Sequence, residues 1–115
     1  MEELWRLSAA QIALGIKERT FSATQVADSV LDRVAEKNSE LNAITVEFPE
    51  QVQAAAVAAD DAVANGRELG PLHGVPVTIK ENIDVAGQAT PNGVPAFADL
   101  MASEDAPLVK NLLYA

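Results

Sequence analysis

In the stretch "HGVPVTIKENIDVAG", residues 73 to 87, a single lysine, Lys80, ends the apolar run Val75-Pro76-Val77-Thr78-Ile79. On a strand the side chains alternate, so Thr78 and Lys80 share one face while Val77 and Ile79 share the other. If the lysine face is buried, the amine is driven toward its neutral form, at a cost on the order of 4 to 5 kcal/mol at neutral pH. A neutral amine is a competent general base, and a protein that holds one at that cost uses it. The bland alternative keeps the ammonium at the strand end, reaching water or pairing with Glu81 or Asp84. Spacing alone favours the bland alternative.

Other groups offer less chemistry. Glu81 and Asp84 form a carboxylate pair, but His73 is the only histidine and no third carboxylate stands at a ligand spacing, so no metal site is expected. His73, between Leu72 and Gly74, reads as a loop residue rather than a base. Schiff-base chemistry at Lys80 is a weaker possibility. The chain has no cysteine, which excludes disulfides and thiolate ligands. The serines, Ser8, Ser22, Ser29, Ser39 and Ser103, sit at predicted helix starts or on helices, where capping or a solvated face accounts for them.

The elements that must position Lys80 follow from pattern. Ser8 with Gln11 and Ser22 with Gln25 repeat a capping-box spacing, so helices are predicted over 8–19 and 22–38. Ile12 and Ile16 mark the inner face of the first; Ala27, Val30, Leu31 and Val34 mark that of the second. "NAITVEF", residues 42 to 48, is rich in β-branched residues and predicts a strand. A third helix is predicted over 51–65, with a stripe of Val52, Ala55, Ala56, Ala59 and Val63 and a stop at Gly66. A strand over 75–80 then leads into a glycine- and proline-rich loop. A last helix opens at Asp105 or Ala106 and is expected to bury Leu108, Leu112 and Leu113. This order of helices and strands favours an α/β class.

The 115 residues carry 8 basic and 17 acidic groups, a formal charge of −9. Such a surface repels phosphate backbones and anionic bilayers, so neither nucleic acid nor membrane is an expected partner. An acidic start at Glu2 and Glu3 and the lack of a run of roughly 20 apolar residues argue for a cytoplasmic protein.

"GPLHGVPVTIKENIDVAGQATPNGVPAF", residues 70 to 97, resembles the lysine-bearing segment of the amidase signature family. There, Gly-Val-Pro, a short β run and the lysine precede a glycine-rich loop. "LNAITV" upstream and "ASEDAPLVKNLLYA" downstream also resemble the N-terminal portion of these enzymes, so nearly the whole chain is covered. The resemblance implies a fold made of the N-terminal helices plus the first strands of a mixed-sheet amidase domain, incomplete here. It divides into a helical layer over about 1–66, the lysine strand and loop over about 70–97, and the last helix over about 105–115.

Members of that family hydrolyse carboxylic amides, or transfer their ammonia, with a Ser–cis-Ser–Lys triad. The resemblance makes Lys80 the triad lysine, with no cofactor. Two features depart from the family pattern: Glu81 stands where aspartate is common, and Thr90-Pro91-Asn92-Gly93-Val94 stands where Thr-Thr-x-Gly-Ser is common. These bear on substrate preference. The serine-rich segment that supplies both triad serines has no counterpart. The expectation is therefore an N-terminal fragment, inactive alone, that meets its amide substrate only within a complete enzyme. It would associate with the missing C-terminal portion or with itself. The alternative is a free-standing interaction module derived from the same fold.

Overall fold

The computed structural model describes residues 3–115, which fall into two units, one running through Pro76 and the other from Val77 to Ala115.

The first unit is built from a 3₁₀ turn, Leu4–Arg6, and three helices: α1 (Ala9–Lys17), α2 (Ala23–Leu41) and α3 (Pro49–Ala64). Both expected capping boxes form. The Ser8 hydroxyl accepts from the Gln11 N–H while the Gln11 side chain accepts from the Ser8 N–H, and Ser22 and Gln25 do the same for α2. Two orphan donors are thereby satisfied at each helix start, which fixes where α1 and α2 begin. Helix α3 ends in a Schellman arrangement: Gly66 takes φ +63, its N–H reaches the Val63 carbonyl, and the Arg67 N–H reaches that of Ala62.

Leu4, Ile12, Ile16, Ala23, Val26, Ala27 and Ala56 form the buried core of this unit, with Phe21, Val52, Ala59, Val63 and Val75 packed against it. Ile12 and Ile16 lie on the face of α1 expected of them. On α2 the centre of the buried face is Val26, fully enclosed, rather than the Val30–Leu31 side, which is half-buried. The α3 stripe packs as expected at Val52, Ala56, Ala59 and Val63, whereas Ala55 is exposed.

Contacts between helices explain two further choices. The Asp60 carboxylate of α3 accepts from the N–H groups of Ala23 and Thr24, at 2.6 and 3.0 Å, and from the Thr24 hydroxyl, so it holds the first turn of α2. Gly15 faces the Phe21 ring so closely that an added Cβ would lie 2.1 Å from the ring's Cζ. A side chain there would have to displace the ring.

No strand forms among the described residues; the one β-type contact is an isolated antiparallel bridge between Ala89 and Met101. The strands expected over 42–48 and 75–80 are thus corrected. Helix α2 continues past Asn38 to Leu41, capped by Asn42 in the left-handed region at φ 50. The Asn38 side chain then takes both backbone groups of Ile44, leaving that residue nothing to offer a ladder. Residues 75–80 have no neighbouring strand among the described residues, and a strand without a ladder is not stable. The expected α/β class is realised here only in its helices.

The second unit consists of a braced loop, a 3₁₀ turn at Pro95–Phe97 and helix α4 (Pro107–Tyr114). Helix α4 buries Val109; of the three leucines on its apolar face, Leu112 is half-buried while Leu108 and Leu113 stay exposed, a face with fewer partners than it calls for. The unit has no further layer to pack on their side. Among the described residues no helix is long and apolar enough to cross a membrane.

Candidate functional site

Lys80 lies at the end of an irregular segment, immediately before a turn in which the Ile83 N–H bonds the Lys80 carbonyl at 3.0 Å. Its side chain is exposed, as are Val77 and Thr78, so of the two cases left open by strand alternation the buried lysine face is not the one formed.

The carboxylates that could neutralise it are engaged elsewhere. Glu81 Oε1 accepts from the Gly93 N–H at 3.0 Å, and Asp84 Oδ1 accepts from the Thr90 hydroxyl at 2.7 Å. Among the described residues, Lys80 makes no ion pair; the ones that form involve Arg6, Arg33, Lys37 and Lys110. The bland pairing of Lys80 with Glu81 or Asp84 is therefore not made among the described residues.

Those same carboxylates shape the loop that follows the lysine. At its tip the Val94 N–H bonds the Pro91 carbonyl at 2.8 Å across Asn92 and Gly93, whose φ values of 50 and 74 have the signs of a type I′ turn. Glu81 holds that tip through Gly93. At the base, the Gly87 N–H bonds the Ala102 carbonyl and the Ala102 N–H bonds that of Gln88, at 3.0 and 2.8 Å. Asp105 accepts from the Ala86 N–H at 2.7 Å, and the Asp84 carbonyl accepts from the Ala106 N–H at 2.9 Å. Lys80 thus starts a loop closed at its foot and pinned at its tip. Sequence reasoning missed Asp105 as a brace and also passed over the turn, which the Asn92-Gly93 pair could have signalled.

The remaining candidates have local roles. His73 donates from Nε2 to the Ala59 carbonyl at 2.9 Å, a satisfied loop histidine. Ser8 and Ser22 cap helices, and the buried Ser29 hydroxyl accepts from the Trp5 N–H at 3.2 Å. Ser39 and Ser103 are exposed. No group of three or more His, Asp or Glu side chains is gathered for a metal among the described residues.

Comparison with known proteins gives this loop a context. The chain is 46% identical over 109 residues to an indoleacetamide hydrolase from Bradyrhizobium diazoefficiens, covering 95% of this chain and 21% of the relative. It is 40% identical over 112 residues to an amidase from Pseudomonas putida, covering 97% and 24%. In structure it resembles a chain of a vestigial protein complex that reveals the evolutionary origins of an s-triazine catabolic enzyme, with a TM-score of 0.87 and 32% identity over 92% of this chain and 23% of that one. The chain therefore spans about a fifth to a quarter of the length of the relatives it matches. The family profile described as amidase matches residues 25–115, which include Lys80 and its whole loop, and the chain belongs to the amidase family.

Proposed function

We propose that this chain supplies the lysine of a Ser–cis-Ser–Lys amidase site, with Lys80 as the base and both serines contributed by a part of the domain outside these 115 residues. The observation that carries the reading is the state of Lys80. It opens the loop of the family-matched segment, yet Glu81 and Asp84 beside it are bonded to Gly93 and Thr90, so the amine is left unpaired for another partner. The mixed sheet expected of the complete domain belongs to the same proposal, with 75–80 acquiring a ladder only when a neighbouring strand is supplied.

In the complete site the neutral amine accepts a proton from the bridging serine, which accepts that of the nucleophilic serine. The nucleophile attacks the amide carbonyl, the amine leaves with a proton returned along the same path, and water releases the acyl group. The substrate class is a carboxylic amide, hydrolysed or used as an ammonia source. Taken alone, the chain has the base without the nucleophile and is inactive. It works in the cytoplasm, without a nucleic acid or membrane partner, in keeping with its charge of −9.

The test uses the Bradyrhizobium relative with its matched stretch deleted, mixed with this chain, and measures ammonia release from indoleacetamide. Activity is expected from the mixture alone and is abolished by Lys80→Ala while the complex still forms. Hydrolysis by the isolated chain, or reconstituted activity that survives Lys80→Ala, overturns the assignment.

A further inference from the structure

The chain contains Asn-Gly twice, at Asn65-Gly66 and at Asn92-Gly93. Asparagine is a labile residue, and most so before glycine, which has no Cβ to shield its backbone nitrogen from the asparagine side chain. Both pairs are exposed, so what separates them is how the fold holds each glycine nitrogen.

At Asn65-Gly66 both reacting groups are held by the end of α3. The Asn65 side-chain amide donates to the Asp61 carbonyl at 2.8 Å, and the Gly66 N–H donates to the Val63 carbonyl at 3.2 Å. Arg19 braces that same carbonyl at 2.9 Å, and the Val63 side chain packs against the core. Freeing the Gly66 nitrogen therefore means unwinding part of a packed helix.

At Asn92-Gly93 there is no packing to lose, since residues 92–100 are all exposed. The tip is closed by the Val94 N–H on the Pro91 carbonyl and by the Gly93 N–H on Glu81 Oε1, at 2.8 and 3.0 Å. Such a tip opens at little cost. The Glu81 contact falls on the reacting atom itself. A carboxylate that accepts from an N–H favours the protonated nitrogen, because the anion left on losing the proton would face a like charge.

We propose that Asn92 is a site of spontaneous conversion to aspartate and isoaspartate, with Glu81 as the group that restrains it. Hydroxide takes the Gly93 amide proton, and the nitrogen attacks Asn92 Cγ. The N–Cγ bond forms, the Cγ–Nδ2 bond breaks, and Nδ2 leaves as ammonia with a proton from water, closing a cyclic imide. Water then opens the imide: breaking the new N–Cγ bond gives aspartate, and breaking the original peptide bond gives isoaspartate. The net change consumes water and releases ammonia, with nothing oxidised or reduced. Aspartate adds a negative charge next to the residue that Glu81 holds. Isoaspartate routes the backbone through the side chain and cannot keep the turn defined by φ values of 50 and 74. Either product loosens the hold of Glu81 on Gly93.

The experiment keeps the whole chain at mildly alkaline pH, folded and in urea, and follows both asparagines by peptide mapping that separates asparagine, aspartate and isoaspartate. In the folded chain Asn92 is expected to convert about tenfold faster than Asn65, and in urea the two rates should come together. Glu81→Ala should speed Asn92 about threefold to tenfold in the folded chain, the range of one hydrogen bond, with Glu81→Gln between. Neither substitution should matter in urea. Amide exchange at Gly93 begins with loss of the same proton, so its rates should rank the three proteins in the same order. Asn65 converting as fast as Asn92 in the folded chain, or a contrast that survives in urea, overturns Asn92 as the site the fold leaves open. Conversion that is slowed or unchanged by Glu81→Ala, or that fails to follow Gly93 exchange, overturns the restraining role of Glu81.

Discussion

Asn38 and Ile44 exchange two hydrogen bonds: the Asn38 side-chain amide donates to the Ile44 carbonyl at 2.8 Å, and the Ile44 N–H donates to Asn38 Oδ1 at 2.9 Å. The same amide also donates to Glu47 Oε1 at 2.7 Å. One side chain thus carries the chain from the end of α2 to the start of α3. Asn38→Ala strands two partly buried backbone groups and is expected to cost about 1–3 kcal/mol, read as a lower urea midpoint. Asn38→Asp is expected to cost at least as much, since the new carboxylate would face Glu47 and keep only the acceptor.

Gly15 is expected to be intolerant of a methyl group. Because a Cβ there would sit 2.1 Å from the Phe21 ring, Gly15→Ala must displace the ring and cost about 1–3 kcal/mol. Combining it with Phe21→Leu should recover part of the loss, a coupling that a double-mutant cycle measures.

These two cases show what was legible. The capping boxes of Ser8 and Ser22 involve partners three residues away, so the starts of α1 and α2 could be read from spacing. The β-branched run at 42–48 could not be read correctly, because what decides it is a side chain in the preceding helix. Trp5 bonding Ser29 and Asp60 bonding Ala23 join residues far apart in sequence, and no periodicity announces them. At the site, Lys80 was found from its motif, but its exposure could not be read from alternation, because residues 75–80 form no strand among the described residues.

Trp5 supplies a probe for pH dependence. The guanidinium groups of Arg6 and Arg33 both lie over its ring, at 4.5 and 4.4 Å from the ring centroid, and Arg33 also bonds Glu36 at 2.9 Å. The Arg33 hydrogen bond holds the Glu36 carboxyl below the usual carboxylate range, aided by the charges of Arg33 and Lys37. A depressed carboxyl stabilises the fold above its unfolded value and loses that contribution as the pH falls through the folded one. The difference in urea midpoint between the protein and Glu36→Gln is therefore expected to be small at neutral pH and to vanish in acid. Trp5 fluorescence should shift over the same acid range as Arg33 is released.

On the alkaline side the sign reverses. The Glu104 carboxylate, bonded to Lys110 Nζ at 2.9 Å, raises the lysine above its ordinary value. Its contribution is present below the unfolded value and is lost as the pH rises through the folded one. Glu104→Gln should remove this alkaline dependence while leaving the acid behaviour of Glu36 untouched, as expected for pairs that share no partner.

The last expectation separates the stability of the lysine loop from its chemistry. Lys80 is exposed and without an ion pair among the described residues, so Lys80→Ala should change stability by no more than about 0.5 kcal/mol. Glu81 differs, because its carboxylate holds the loop tip through the Gly93 N–H. Glu81→Ala should release that amide and raise its hydrogen-exchange rate, with little effect on the first unit. Glu81→Gln keeps an acceptor oxygen and should restore most of the protection; Glu81→Asp, one methylene shorter, should restore less. In the reconstituted enzyme the two positions should then part company. Lys80→Ala removes the base and abolishes turnover without loosening the loop, whereas Glu81→Ala loosens the loop, and its loss of activity should be rescued by Glu81→Gln. If Lys80→Ala instead perturbs exchange at Gly93 as much as Glu81→Ala does, the lysine is a structural member of the loop and the chemistry assigned to it fails.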